Sequence, residues 1–136
     1  KAAGLYMICT LSKHAAEDAG FNDALMFDWR GQIAEATGAN IFFVRDGMLH
    51  TPYADCFLNG ITRQTVIGLA KQRGIEVQER AIFPNELATF TEAFLTGSAA
   101  EITPIREIAG LPFKPAAMTE QLMHDYAGLT RRKNAA

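Results

Sequence analysis

The sequence predicts an α/β chain: an α+β arrangement of a mixed sheet with flanking helices. Three observations carry this. Residues 41–44 read Ile-Phe-Phe-Val, an unbroken apolar run of the kind that forms a strand buried on both faces. Asp46-Gly47 sits between two apolar stretches and is a hairpin signal. Apolar residues at helical spacing then alternate with these strands, at Val66, Leu69 and Ala70 and again at Met118, Leu122, Tyr126 and Leu129. Hairpins with interposed helices give a mixed sheet, and no internal boundary divides the chain.

Taken in order, residues 2–19 predict a helix. Ile8, Leu11, Ala15 and Ala19 share one side, Lys13, His14, Glu17 and Asp18 lie on another, and Gly20 ends it. Residues 24–29 read as a strand that turns at Arg30-Gly31. Met48-Leu49-His50 returns from the Asp46-Gly47 turn. Residues 51–59 contain Pro52 and no period, so they read as loop. Gly60-Ile61-Thr62 leads into a helix over 63–73, stopped by Gly74. Residues 75–82 alternate as a strand with one wet face. A short helix follows at 84–88, then strands at 92–96 and 104–108, a turn at Ala109-Gly110, and the last helix.

Length and composition bound the function. The 136 residues suffice for one domain with a sizeable core. With 49% hydrophobic and 21% charged residues, the composition is that of a globular domain rather than a disordered one. The net charge is -2, and basic residues cluster only at Arg131-Arg132-Lys133, so neither nucleic acid nor a membrane surface is an expected partner. Cys9 and Cys56 match no metal spacing and read as buried thiols in a reducing compartment, the cytoplasm. The chain shows no signal peptide and no apolar run of membrane-spanning length. Lys1 stands where an initiator Met would be, so a longer protein is expected. His14, His50 and His124 share no ligand spacing and read as surface or satisfied residues; no metal site is expected.

Three segments combine small residues with the end of a strand or the start of a helix. In residues 31–44 a single acid, Glu35, stands between Ala34 and Ala36 beside the turn Thr37-Gly38-Ala39-Asn40. A carboxylate entering a core needs a cationic or donor partner, so Glu35 reads either as a ligand group or as an acid paired to an arginine at a turn. Gly60-Ile61-Thr62 opens a helix whose free N–H groups and dipole suit an anion, although an ordinary cap reads the same way. Gly97-Ser98-Ala99 follows an apolar strand, where small side chains allow either a ligand's approach or tight packing.

The motifs Lys1-x-x-x-x-Tyr6, Glu35-Ala36-Thr37-Gly38-Ala39-Asn40, Leu58-Asn59-Gly60-Ile61-Thr62-Arg63 and Thr96-Gly97-Ser98-Ala99-Ala100-Glu101-Ile102-Thr103-Pro104 together resemble the class IV, fold type IV pyridoxal-phosphate aminotransferases. Among them, the branched-chain amino-acid aminotransferases are most similar. The resemblance runs along essentially the whole chain, in the family's order. It implies that residues 1–136 form the large domain that binds pyridoxal 5'-phosphate, with the family's smaller N-terminal domain absent.

By this resemblance Lys1 is the Schiff-base lysine and the base that shuttles the Cα proton. Tyr6 donates to the cofactor's phenolic oxygen, and Glu35 holds the pyridine nitrogen. Ile61, Thr62 and Ser98 hold the phosphate, and Ser98 with Ala99 offers N–H groups to the substrate carboxylate. The implied reaction is transamination of leucine, isoleucine or valine with 2-oxoglutarate, in a homodimer or higher homo-oligomer. Ala39 and Asn59 depart from the branched-chain pattern, which commonly has a more polar residue and a proline there. D-amino-acid aminotransferases, aminodeoxychorismate lyases and some amine transaminases share the scaffold; Tyr6 and the 98–104 motif favour the branched-chain type. Outside enzymes, the alternative is an inactive anion-binding or structural fragment.

Overall fold

The computed structural model describes residues 6–131. Its elements run α1 (Met7–Asp18), β1 (Leu25–Phe27), β2 (Ile33–Ala36), β3 (Asn40–Arg45), β4 (Met48–Pro52), α2 (Ile61–Gln72), β5 (Val77–Arg80), a 3-10 segment (Pro84–Thr89), β6 (Glu92–Gly97), β7 (Glu101–Pro104), β8 (Glu107–Ile108), β9 (Leu111–Pro112) and α3 (Ala117–Arg131). Five strands form the main sheet in the order β5-β4-β3-β6-β7, with β1–β2 and β8–β9 as separate two-stranded ribbons. Only β4 and β5 pair in parallel within the main sheet, joined through α2; the other neighbours are antiparallel. The sheet is therefore mixed, as the interposed helices predict.

The apolar run 41–44 lies in β3, the central strand, and both of its faces are buried. Phe42 and Val44 pack with Phe94 toward Val66, Ile67 and Ala70 of α2 and Leu122 of α3. Ile41 and Phe43 pack on the other side with Ile33, Ile82, Leu87, Phe90 and Phe113. The Asp46-Gly47 turn has positive φ at both residues, 53° and 74°, which is the hairpin geometry those two residue types favour. One contact that periodicity does not show holds α3. Glu92 is buried at the start of β6, and its Oε2 accepts the N–H groups of Ala116 and Thr119 at 3.0 and 2.9 Å. A carboxylate at a helix N-terminus satisfies donors that the helix itself leaves unpaired.

Several expectations are corrected. Among the described residues the first helix runs Met7–Asp18, so it stops before Ala19, and its apolar side has no cover there: Ile8 and Leu11 are 64% and 69% exposed, and α1 buries no residue; the expected residues 2–5 lie outside the described residues. Periodicity reveals that a stripe exists, not what lies against it. Pro52 argued for loop, yet it ends β4 opposite Arg80, where a strand's last residue can spare its N–H. The strand expected over 75–82 is confined to 77–80, and that expected over 104–108 is split, with β7 ending at Pro104 and β8 pairing with β9 around Ala109-Gly110. Cys9 is half-buried and Cys56 exposed, so neither is the buried thiol expected. His50 is fully buried; its Nδ1 accepts from Arg80 Nε at 3.2 Å, while its Nε2 has no hydrogen-bond partner among the described residues. Burial and the neighbouring Arg80 and Arg45 charges push its pKa down, disfavouring the charged form.

Candidate active site

The end of the sheet where β3 begins and β6 stops gathers three of the motifs. β2 carries Glu35, which is half-buried. The chain then reverses over residues 37–39, where Ala36 N–H donates to Ala39 O at 2.8 Å. The Thr37 hydroxyl donates to Asp23 Oδ1 at 2.5 Å and ties this turn to the approach to β1. Asn40, the first residue of β3, is buried, and its Nδ2 lies 3.5 Å from Glu35 Oε2.

The same Asn40 side chain reaches the start of α2. Its Oδ1 accepts the Gly60 N–H at 3.2 Å, and its Nδ2 donates to Leu58 O at 2.9 Å. Gly60 is the N-cap of α2; among the described residues no side chain caps that end, and no acidic residue lies in its first turn. The first-turn N–H groups, with the positive end of the helix dipole, therefore favour an anion. Ile61 is exposed at this end while Thr62 is buried. Behind Thr62, Arg63 is 1% exposed and binds Asn59 Oδ1, Pro52 O and Glu79 Oε2 at 2.9, 3.0 and 2.7 Å. It fastens the first turn of α2 to the ends of β4 and β5.

The third segment is the reversal between β6 and β7. Asn40 is paired with Thr96 across β3–β6, and Gly97 with Glu101 across β6–β7, so residues 98–100 form the turn. Glu101 closes it at φ 47°, a left-handed conformation that costs a non-glycine residue roughly 1–2 kcal/mol. Ser98 and Ala99 are exposed on this turn. Gly97 packs against the 37–39 turn: a Cβ placed there would meet Gly38 O at 3.5 Å and Ala39 Cβ at 3.6 Å. The Thr96 hydroxyl is buried without a hydrogen-bond partner among the described residues.

Tyr6 stands at the N-cap of α1 and borders a cleft of about 230 Å³ whose other walls include Cys9, Thr10, Lys13, Thr37 and Gly38. Burial pushes the Cys9 thiol pKa up, and the nearby Glu35 and Asp23 carboxylates push it the same way. The first turns of α1 thus face the Glu35 end of the sheet. Lys1 lies outside the described residues. Of the residues singled out from sequence, Tyr6, Glu35, Ile61, Thr62, Ser98 and Ala99 belong to segments that meet at this one end. Asn40, which touches two of those segments, was visible only as part of a turn. Its signal was a primary amide immediately before the apolar run 41–44.

The donor set suits pyridoxal 5'-phosphate. An uncapped helix start and hydroxyl side chains suit its phosphate, a half-buried carboxylate suits a protonated ring nitrogen, and Gly38, Ala39 and Gly97 keep the space between small. Comparisons with known proteins point the same way. A probable branched-chain-amino-acid aminotransferase of Rickettsia felis is 42% identical over 135 residues, covering 96% of this chain and 47% of that protein. The branched-chain aminotransferase of Thermoproteus uzoniensis, solved with norvaline, superposes with a TM-score of 0.94 at 39% identity, over 99% of this chain and 46% of that one. That of Thermobaculum terrenum, solved in its PLP-form, gives 0.92 at 40% identity, over 95% and 44%. The chain therefore spans about half the length of the relatives it matches. No helix among the described residues is long and apolar enough to cross a membrane. Residues 1–108, most of the chain, match the family described as amino-transferase class IV, and the chain belongs to the class IV aminotransferases.

Proposed function

We propose that the chain is the large, cofactor-binding domain of a pyridoxal-phosphate-dependent aminotransferase acting on leucine, isoleucine and valine with 2-oxoglutarate. One observation carries the reading: a single buried amide, Asn40, touches both Glu35 and the uncapped start of α2. A carboxylate and an anion-binding helix end are thereby held one side chain apart. The whole protein has a smaller N-terminal domain and works as a homodimer or higher homo-oligomer in the cytoplasm. The chain's half-length match to its relatives supports the further domain, and Ile8 and Leu11 on α1, exposed among the described residues, support a covering partner.

Each residue has a defined task. The first-turn N–H groups of Ile61 and Thr62 bind the phosphate, with the Ser98 hydroxyl as a further donor. The Glu35 carboxylate holds the proton on the ring nitrogen. The Tyr6 hydroxyl donates to the phenolic oxygen. Bound pyridoxal phosphate supplies an electron-withdrawing ring that acidifies the Cα–H of an amino acid. Lys1 Nζ anchors the cofactor and takes that Cα proton as general base, a role typically worth about 10²–10⁴ in rate. Ser98 and Ala99 orient the substrate carboxylate through backbone N–H groups.

Spectral titration of the full-length protein tests the substrate. L-Leucine and L-valine are expected to bleach the visible absorbance of the bound cofactor. Bleaching by D-alanine or aminodeoxychorismate in their place would move the protein to another branch of the fold, and no visible absorbance at all would leave only an anion-binding domain. For the phosphate, Ser98→Ala is expected to loosen the cofactor by about 1.5–3 kcal/mol, one hydrogen bond to a charged group, while the backbone donors keep the rest. Equilibrium dialysis measures this; unchanged affinity removes Ser98 from the phosphate site.

A further inference from the structure

Among the described residues the Asn40 side chain makes three polar contacts, and they join two segments, β2 and the residues that lead into α2. Nδ2 donates to Leu58 O at 2.9 Å and lies at the long limit, 3.5 Å, from Glu35 Oε2; Oδ1 accepts the Gly60 N–H at 3.2 Å. The amide thus grips the backbone on both sides of Asn59, immediately before α2, while touching the acid on β2. Glycine at the N-cap permits this approach: a Cβ on Gly60 would stand 2.5 Å from Asn40 Oδ1. The residue type follows from the chemistry. A carboxylate cannot donate to Leu58 O, a serine is too short to bridge, and glutamine is one methylene longer than the space Asn40 fills at 5% exposure. The strand register with Thr96 fixes where the amide stands.

We infer that Asn40 is a positioning residue that sets the separation between Glu35 and the N-terminus of α2, so that one ligand is gripped at its phosphate and at its ring nitrogen together. This rests on the reading of the site as a pyridoxal-phosphate site. Asn40 contributes nothing to either grip alone; it makes the two commensurate. Its loss lets the first turn of α2 move relative to β2. A ligand that uses both ends then binds more weakly, and a ligand that uses only the ring end does not.

The experiment compares two cofactors in the full-length protein. Apo-enzyme is reconstituted with pyridoxal 5'-phosphate and, separately, with pyridoxal, which lacks the phosphate. Binding is read from visible absorbance at equilibrium, and the thermal midpoint of the apo form is recorded. Asn40→Ala is expected to weaken pyridoxal 5'-phosphate by at least about tenfold, the scale of one lost hydrogen bond. Pyridoxal is expected to stay within about twofold, the usual tolerance for independent sites. Equal losses for both ligands, or none for either, would overturn the inference, since a merely structural role lowers the apo midpoint without changing the ratio. Should Asn40→Ala fail to fold, Asn40→Asp decides. It keeps the size and the acceptor for Gly60 but loses the donated bonds and brings a negative charge to the phosphate end. A wild-type ratio in Asn40→Asp refutes the positioning role. A wild-type protein that takes up no pyridoxal 5'-phosphate refutes the cofactor reading itself and this inference with it.

Discussion

Glu35→Gln is expected to keep the fold and the bound cofactor's visible absorbance while slowing the half-reaction with L-leucine by on the order of a hundredfold or more, the scale of losing one electrostatic stabiliser. Glutamine is nearly isosteric with glutamate, and Glu35 is half-buried at the end of β2 rather than in either apolar cluster. The fold therefore has little reason to change. A neutral amide can still touch a ring nitrogen, so binding survives. What it cannot do is hold a proton there, because stabilising a cation in a partly desolvated site needs the opposite charge. On the proposed reading, the Cα–H of the amino acid would then be less acidic, and Lys1 would have a harder proton to take. Stopped-flow absorbance in the full-length protein measures the step. Bleaching at the wild-type rate would make Glu35 a structural acid beside a turn.

Arg63→Ala is expected to lower folding stability by about 2–4 kcal/mol, the range for emptying a large buried site and orphaning its acceptors. Arg63 is the largest of the fully buried side chains among the described residues. Removing it leaves the Pro52 carbonyl without this donor and opens space under the first turn of α2. Glu79, its ion-pair partner, has a side chain 43% exposed and can rehydrate, so the loss falls below that of breaking a fully buried pair. Arg63→Met is the informative companion. It refills most of the volume without the donors, so it should recover the packing part of the loss and leave the hydrogen-bond part. Urea denaturation of both variants separates the two. A change below about 0.5 kcal/mol in Arg63→Ala, typical of a surface substitution, would show that the contacts to Pro52, Asn59 and Glu79 carry no net stability.

The residues that converge on the site were legible because turn chemistry and helix starts are written locally. Gly60-Ile61-Thr62 announces a helix N-terminus by residue type, and α2 begins at Ile61. Asp46-Gly47 announces a hairpin, and both residues adopt positive φ. Glu35 stood out because a lone carboxylate among small apolar residues has to be accounted for. The limits of the strands were less legible. Pro52, read as loop, ends a strand, and Pro104, read as opening one, ends one instead; only pairing partners reveal that.

What the chain determined by itself is the alternation of a doubly buried strand, a tight hairpin and two striped helices, and the local turn and helix-start chemistry of the segments that meet at one end of the sheet. These follow from steric preference and hydrophobic period, which act over a few neighbouring residues. Tertiary structure alone decided which segments meet. The amide of Asn40 grips Leu58 and Gly60, Arg63 reaches Glu79 of β5, and Glu92 caps a helix that begins at Ala117. It also decided that the apolar stripe of α1, as regular as that of α3, has no cover within the described residues. Such contacts depend on strand register and on the three-dimensional path of the chain, and a side chain's reach across space leaves no period in the sequence.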